Sequence, residues 1–410
     1  MSSRHASDPP LRQRRSDVTK RRRWMVTLLA ILCCTALYAL SDSKRSHARD
    51  LSPSATLASV SPITNTALLN PGPVAFVLLL WTLKEAAEAG ILIKSILIHN
   101  TLPSTFHIFC SPDVSETMQS PLRLITRPRH DVRIIFYHLT RSSMRTRVQR
   151  EGNLSTEDEI LPVAMKLFLH ELLPPAVKVA IYIEPDALFV SDPAALWRLA
   201  LSLMPDVAPA VSLFYDQKTL HVNSRVLLLN LQKLRDVRLM DSSVYRKVDH
   251  ATNGAISPSA FRAVLGPPTR QDGRYDVRAM GGDAVFWRAF VTQRPDLFRT
   301  LDAGYISEGC SRAQGAGLDA GNDSDDGAVA PRLVHVDCVK TKPYTSWRGW
   351  EDADTLANRR WGDAVRYFTN YKWLWLNAAD TEPAGAFKMT VIQGGVVYGD
   401  ERYAATRRPQ

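Results

Sequence analysis

The stretch with the most chemical content is Glu184-Pro185-Asp186, directly after the apolar run Val179-Ala180-Ile181-Tyr182-Ile183. Lone charges at the tip of a buried strand are costly, so two carboxylates placed there imply a task. In an extended segment, residues i and i+2 project to the same side, and two carboxylates so placed can share one hard cation. Four further residues carry groups that could do chemistry. Asp283 stands behind Gly281 and Gly282, which permit close backbone approach. His335 ends Leu333-Val334-His335, where a core or surface imidazole and a ligand nitrogen both stay open. Lys342 is a compact point charge, solvated or bound to an anion. Asn223 carries amide donors and an acceptor for a ligand or for capping a turn.

These residues need elements to hold them. Val74-Ala75-Phe76-Val77-Leu78-Leu79-Leu80 predicts a buried strand, followed by a helix over 83–100. Strands are predicted at 106–109, 132–137 and 179–183, and a helix at 163–172. Strands alternating with helices imply an α/β domain with a mostly parallel sheet flanked by helices. Ligands of such sheets sit beyond the carboxyl ends of the strands, which directs attention to Leu80, Thr82 and the segments after Phe109 and Ile183. Residues 236–278 read as an irregular polar insertion, and 315–330 as a low-complexity loop. The acidic cluster Asp323, Asp325, Asp326 in that loop lacks EF-hand spacing and reads as solvated.

The chain of 410 residues carries a net charge of +10, but residues 1–23 alone hold eight Lys/Arg against two Asp. The basic balance is therefore largely a property of the tail, and it argues against nucleic acid as partner. After it comes an uncharged run of 17 residues, 24–40, spanning roughly 26 Å as a helix. The positive flank predicts a cytosolic basic tail at 1–23, a transmembrane signal-anchor at 24–40 and a lumenal remainder. A cleaved signal peptide is the rival reading, with Ala36-Leu37-Tyr38-Ala39 as its site. Residues 41–73, rich in Ser, Ala, Thr and Pro, read as a flexible stem. Cys33 and Cys34 fall in the apolar run; Cys110, Cys310 and Cys338 are downstream, where Cys310–Cys338 pairing and free buried thiols both stay open. No CxxC suggests a thiolate zinc site. Sequons occur at Asn153 and Asn322.

In order along residues 74–345, the sequence resembles the retaining glycosyltransferases of family 8, the group of glycogenin and the lumenal glucoside xylosyltransferases. Lys94-Ser95-Ile96-Leu97 and Phe106-His107-Ile108-Phe109 look like that family's K-S-x-x helix and F-H-I-F strand. Glu184-Pro185-Asp186 looks like its DxD signature, and Asn223-Ser224-Arg225-Val226 like its N-S-G-V segment. Gly282-Asp283-Ala284 stands for G-D-Q, and His335 with Lys342-Pro343-Tyr344 for the terminal H…K-P-W. The resemblance implies a GT-A, Rossmann-like domain over 74–380, with a C-terminal tail at 381–410. It implies metal ligands Glu184, Asp186 and His335 for a divalent cation, Mn2+, and donor contacts from Leu80, Thr82, Asn223, Ser224 and Lys342. It implies catalytic roles for Asp283 and for Lys166, which stands where the family has a basic residue reaching the donor sugar. The implied partners are a UDP-sugar and a glycan or glycoprotein acceptor, in the Golgi or endoplasmic reticulum membrane with the catalytic domain lumenal.

Three positions depart from the pattern: Glu184 for Asp, Arg225 for Gly and Ala284 for Gln. Arg225 puts bulk where the family has none, and a non-catalytic sugar-binding or scaffolding relative is the alternative reading. The topology has its own test. With residues after 40 in the lumen, Asn153 is expected to carry a glycan in eukaryotic cells, seen as a glycosidase-sensitive mass shift. An unshifted chain digestible by protease in intact microsomes would contradict it.

Overall fold

The computed structural model describes residues 71–151, 154–158, 160–203, 209–216, 221–237, 239, 258–302, 305–308, 332–336, 364–379 and 387–396. All belong to one compact unit, 65–410. The expected anchor at 24–40, the stem before residue 71, both sequons, the loop 315–330, Cys33, Cys34, Cys310, Cys338 and Lys342 lie outside the described residues. Among the described residues, no helix is long and apolar enough to cross a membrane.

Strand β1 (Val74–Leu80) is buried at every position, as a central strand covered on both faces must be. Helix α1 (Leu83–His99) starts at a capping box: the Thr82 hydroxyl accepts from Glu85 N, and the Glu85 carboxylate accepts from Thr82 N. β2 (Ser104–Cys110), α2 (Pro112–Leu122), β3 (Val132–His138) and α3 (Arg141–Glu151) follow. β4 (Val179–Ile183), β5 (Ala187–Phe189) and α4 (Ala194–Leu201) come next, then β6 (Val211–Asp216), β7 (His221–Asn230) and α5 (Leu231–Val237). After α6 (Pro258–Leu265) and α7 (Ala284–Gln293) the strands are β8 (Phe298–Thr300), β9 (Ile306–Glu308), β10 (Leu333–His335) and β11 (Met389–Gly394).

The main sheet has eight strands in the order β11-β3-β2-β1-β4-β7-β6-β8. Only β7 runs against its neighbours; the other pairings are parallel. From β1 the chain steps outward to β2 and β3, then returns to place β4 on the other side of β1. That reversal opens a crevice beyond the carboxyl ends of β1 and β4, where open α/β sheets bind ligands. A second sheet, β5-β10-β9, closes over this end. The two halves meet through an aromatic stack of Phe76 on Phe106, 5.2 Å apart, with Phe189 of β5 edge-on at 6.3 Å. Ser95 of α1 accepts from Phe189 N at 2.9 Å, and Lys94 donates to Phe368 O at 3.3 Å. The Lys-Ser pair thus ties α1 to β5 and to the helix over 364–370.

The structure differs from the sequence reading in three places. The helix expected at 163–172 is broken into Leu161–Met165, a 3-10 turn Lys166–Phe168 and Leu169–Leu172. Within 236–278, read as a polar insertion, α6 forms and Tyr275 and Val277 are buried, because they pack with Phe261 and Phe286. β11, within the expected C-terminal tail, is paired with β3 along six residues, so the sheet extends past 380. Gly394 allows this: a Cβ there would stand 2.3 Å from the Tyr137 ring. Cys110 is a buried free thiol, pushed up to about 12 by burial with Asp113 adding.

The broken helix is clamped from α3. Arg147 donates to both carboxylate oxygens of Glu171, at 2.6 and 2.5 Å, and its guanidinium lies 3.9 Å from the Phe168 ring. Both charges are buried. Burial pushes the Glu171 carboxyl up, but Arg147 and His170 overcome it and hold it well below the usual range. Glu171→Gln strands the guanidinium, and a loss of about 3–5 kcal/mol is expected in urea unfolding at pH 7. A carboxylate depressed in the folded state contributes stability above its unfolded value, near 4.3, and loses it as pH falls toward the folded value. The gap between wild type and variant is therefore expected to narrow as pH falls below about 4.

Candidate active site

Glu184 directly follows β4, and its backbone N donates to Arg225 O of β7 at 2.9 Å, continuing the antiparallel ladder by one residue. Asp186 directly precedes β5, whose antiparallel register with β10 sets Ala187 opposite His335. Val336 N donates to Asp186 O at 2.9 Å, which locks the two chain segments. The imidazole Nε2 of the buried His335 consequently lies 2.8 Å from Asp186 Oδ1 and 3.2 Å from Glu184 Oε2. One ligand atom from each residue falls within 4.8 Å of the others. Two carboxylates and an imidazole could hold a divalent cation, the oxygens as hard donors and the imidazole nitrogen as a donor to transition metals.

Lys166 reaches this group from the 3-10 turn. Its Nζ donates to Glu184 Oε1 at 2.7 Å, to Asp283 Oδ1 at 3.0 Å and to Ser224 O at 3.4 Å. Three acceptors use the three N–H bonds of an ammonium. The ring of Tyr182 lies 5.0 Å away. Glu184 is thereby divided, with one oxygen on the ammonium and the other on the imidazole side. Asp283 opens α7, and its Oδ2 accepts from Trp287 Nε1, one helical turn on, at 2.9 Å. Gly281 and Gly282 before it have φ of +98° and +96°, a region costly to any residue with a side chain.

The charges follow from this geometry. Burial opposes the Lys166 charge, but Asp283 and Glu184 outweigh it and hold the ammonium well above its ordinary value. Burial pushes Glu184 up, while Lys166 and His335 pull it below the usual carboxylate range. For Asp283, burial dominates over the pull of Lys166, Glu184 adds its negative charge, and the carboxyl is raised. Two carboxyls share one ammonium and are driven apart, the arrangement that gives paired acids different roles.

A cavity of about 650 Å³ opens beside these groups at the ends of β1 and β4. Thr82, Lys84, Glu85 and Glu88 of the α1 side, Trp81, and Arg278 line it together with Lys166, Glu184, Asp186 and Asp283. Of the residues expected from the sequence, Lys166, Glu184, Asp186, Asp283 and His335 are brought together, Thr82 lines the cavity, and Ser224 takes part through its carbonyl. Leu80 is fully buried in the core instead. Asn223, within β7, accepts from Arg225 N at 3.0 Å through its Oδ1, and neither Asn223 nor Arg225 lines this cavity. Lys166, expected to reach a donor sugar, is held by the carboxylates. Glu85, Glu88, Arg278, Tyr182 and Trp287 were not singled out from sequence; the Thr82-x-x-Glu85 capping-box spacing and the i, i+4 spacing of Asp283 and Trp287 are the local signals for two of them.

No family model and no curated protein matches the chain. Solved structures do, and several of those similar to it are glycosyltransferases. Mouse xyloside xylosyltransferase 1 in its apo form is 14% identical over 65% of this chain and 98% of that one, with a TM-score of 0.45. The galactosyltransferase LgtC, solved with donor and acceptor sugar analogues, is 13% identical over 72% of this chain and 95% of its own, with a TM-score of 0.41. The glycosyltransferase GlyE of Streptococcus pneumoniae is 12% identical over 74% and 62%, with a TM-score of 0.41.

Removing the shared cation tests the electrostatics. Lys166→Met leaves the buried Asp283 and the half-buried Glu184 without their shared cation, and a loss of up to about 3–5 kcal/mol is expected. A divalent cation held at this group would replace part of the missing positive charge. Its stabilisation, read as the rise in melting temperature on adding Mn2+, is expected to be larger in Lys166→Met than in wild type.

Proposed function

We propose that the chain is a divalent-metal-assisted glycosyltransferase that moves a sugar from a UDP-sugar to a hydroxyl of a lumenal glycan or glycoprotein, with retention at the anomeric carbon. The observation that carries this reading is the Glu184–Asp186–His335 group at the strand-order reversal, with the Lys166 ammonium and the Asp283 carboxylate behind it. The motif order along the sequence supports the same reading.

In this reading Glu184, Asp186 and His335 hold the cation. Bound there, Mn2+ supplies Lewis-acid charge to the diphosphate of the donor. Lys166 keeps Glu184 ionised and fixed in position, so that no side chain has to reorganise as charge develops. Lys84 and Arg278, on the cavity wall, are further cations for the donor's phosphates. Lys342 adds to them by the resemblance. Asp283 is assigned to the positive charge that develops at the anomeric carbon, or to the acceptor hydroxyl. Trp287 and Lys166 orient its two oxygens. Residues 24–40 anchor the domain in the Golgi or endoplasmic reticulum membrane in this reading.

The test is UDP release from a panel of UDP-sugars by the full chain, with and without Mn2+. Release dependent on Mn2+ is expected with at least one donor. Asp186→Asn, which keeps size and removes one ligand charge, is expected to lower turnover by about 10²–10³. Release from no donor would overturn the reading, and an unaltered rate in Asp186→Asn would overturn the metal assignment.

A further inference from the structure

Helix α1 separates two cavities. Lys84, Glu85 and Glu88 face the carboxylate cavity, while Leu83, Ala86, Ala87, Gly90 and Lys94 line a second cavity of about 280 Å³. A helix with its side chains is about 10–12 Å across, so one helix width divides them. The opposite wall of the second cavity includes Thr369 and Trp373, from the helix over 364–370 and the turn after it. This wall is fixed to α1. The Lys94 ammonium donates to Phe368 O and lies 5.2 Å from the Trp373 ring, and Gly90 leaves that ring just enough room.

Outward from that wall the segment turns aromatic rings to solvent. Among the described residues six large apolar side chains are exposed, and two of them, Tyr367 (53%) and Trp375 (48%), are joined through Tyr371 on this segment, with Leu374 (50%) next to Trp375 in sequence. Scattered exposed apolar residues are ordinary, but a contiguous group marks an interaction surface. Tyr371 connects it, 5.4 Å from Tyr367 at 49° and 5.4 Å from Trp375 at 86°. The Tyr371 hydroxyl donates to Trp375 O at 3.0 Å, and the Lys372 ammonium lies 5.6 Å from the Trp375 ring.

We propose that this aromatic surface is the docking subsite for a carbohydrate chain, the acceptor side of the transfer site; the inference rests on the glycosyltransferase reading. A pyranose presents a face of C–H bonds and a rim of hydroxyls. Aromatic rings take the C–H face by dispersion and by the attraction of polarised hydrogens to the negative ring face. Tyr367, Thr369 and Lys372 offer hydrogen-bonding groups for the rim. Rings set at 49° and 86° to one another suit successive sugars in different orientations, whereas a flat bilayer surface favours no such set. Glu85, Glu88, Glu184, Asp186 and Asp283 across α1 also disfavour an anionic membrane surface here. The segment that carries this surface and the carboxylate cavity border the same helix, α1.

The probe is a panel of tri- to pentasaccharides of glucose, galactose, xylose and N-acetylglucosamine, read by saturation-transfer NMR on the full chain in detergent. At least one is expected to receive saturation at its ring C–H protons from wild type and from Phe387→Ser, an exposed aromatic outside the patch. The double variant Tyr367→Ser, Trp375→Ser is expected to lose that signal, with its melting temperature close to wild type because both are surface changes. In the transfer assay the KM for such an acceptor is expected to rise about ten- to thirtyfold with kcat retained, the scale of losing an aromatic anchor. UDP release by wild type without acceptor tests the glycosyltransferase reading separately. Release with unchanged sugar binding in the double variant overturns the subsite, as does binding of no panel member to wild type. Trp375→Ser abolishing a quenching component from brominated lipid in nanodiscs makes the surface a membrane contact and also overturns it. Sugar binding lost in the double variant with no UDP release from any donor sustains the subsite and removes the transferase reading.

Discussion

The Lys166 ammonium is the interaction on which the rest of the site depends. It joins Glu184, 18 residues away, to Asp283, 117 residues away, and takes the Ser224 carbonyl as its third acceptor. The buried Asp283 and the half-buried Glu184 carboxylates are drawn to the same cation, which favours their ionised forms. The β4 tip, the β7 strand and the start of α7 are therefore held at one point by a single charge. The helix carrying Lys166 gives up regularity there, and the 3-10 turn is secured from behind by Arg147 stacked on Phe168 and paired with Glu171.

Around that point the topology supplies the opening. Because the strand order reverses between β1 and β4, a crevice opens beyond their carboxyl ends. The small sheet β5-β10-β9 then brings His335 beside Asp186 through backbone register, and the side-chain contact of Nε2 with Oδ1 follows. The ligand geometry is thus an outcome of strand pairing, which is stiff, and the imidazole needs no rearrangement to meet a cation.

The cavity is acidic on balance. Glu85, Glu88, Glu184, Asp186 and Asp283 line it against Lys84, Lys166 and Arg278. A field of that sign, focused in a cleft, concentrates cations, and a bound divalent ion would convert it into a site for a diphosphate. Across α1 the character changes from charged to aromatic. One helix thus serves two surfaces because its 3.6-residue period sets Lys84, Glu85 and Glu88 apart from Leu83, Ala87 and Lys94.

Much of this was legible in the sequence where the physics is local. Continuous apolar runs mark β1 and β4 because strands covered on both faces tolerate nothing else. The i, i+2 carboxylates of Glu184 and Asp186 share a side because of the strand period, and Gly281-Gly282 permits the backbone that presents Asp283. The sequence also pointed to His335 beside Glu184 and Asp186, and to Lys166, but not to what Lys166 touches. That Lys166 bonds Glu184 and Asp283, that the helix at 163–172 breaks, that β11 joins the sheet beyond 380, and that Trp373 packs over Gly90 were decided only in three dimensions. Each depends on sheet register, on a charge finding its partners at 18 and 117 residues' distance, or on packing between distant segments. Such energies are absent from any local window and override its propensities.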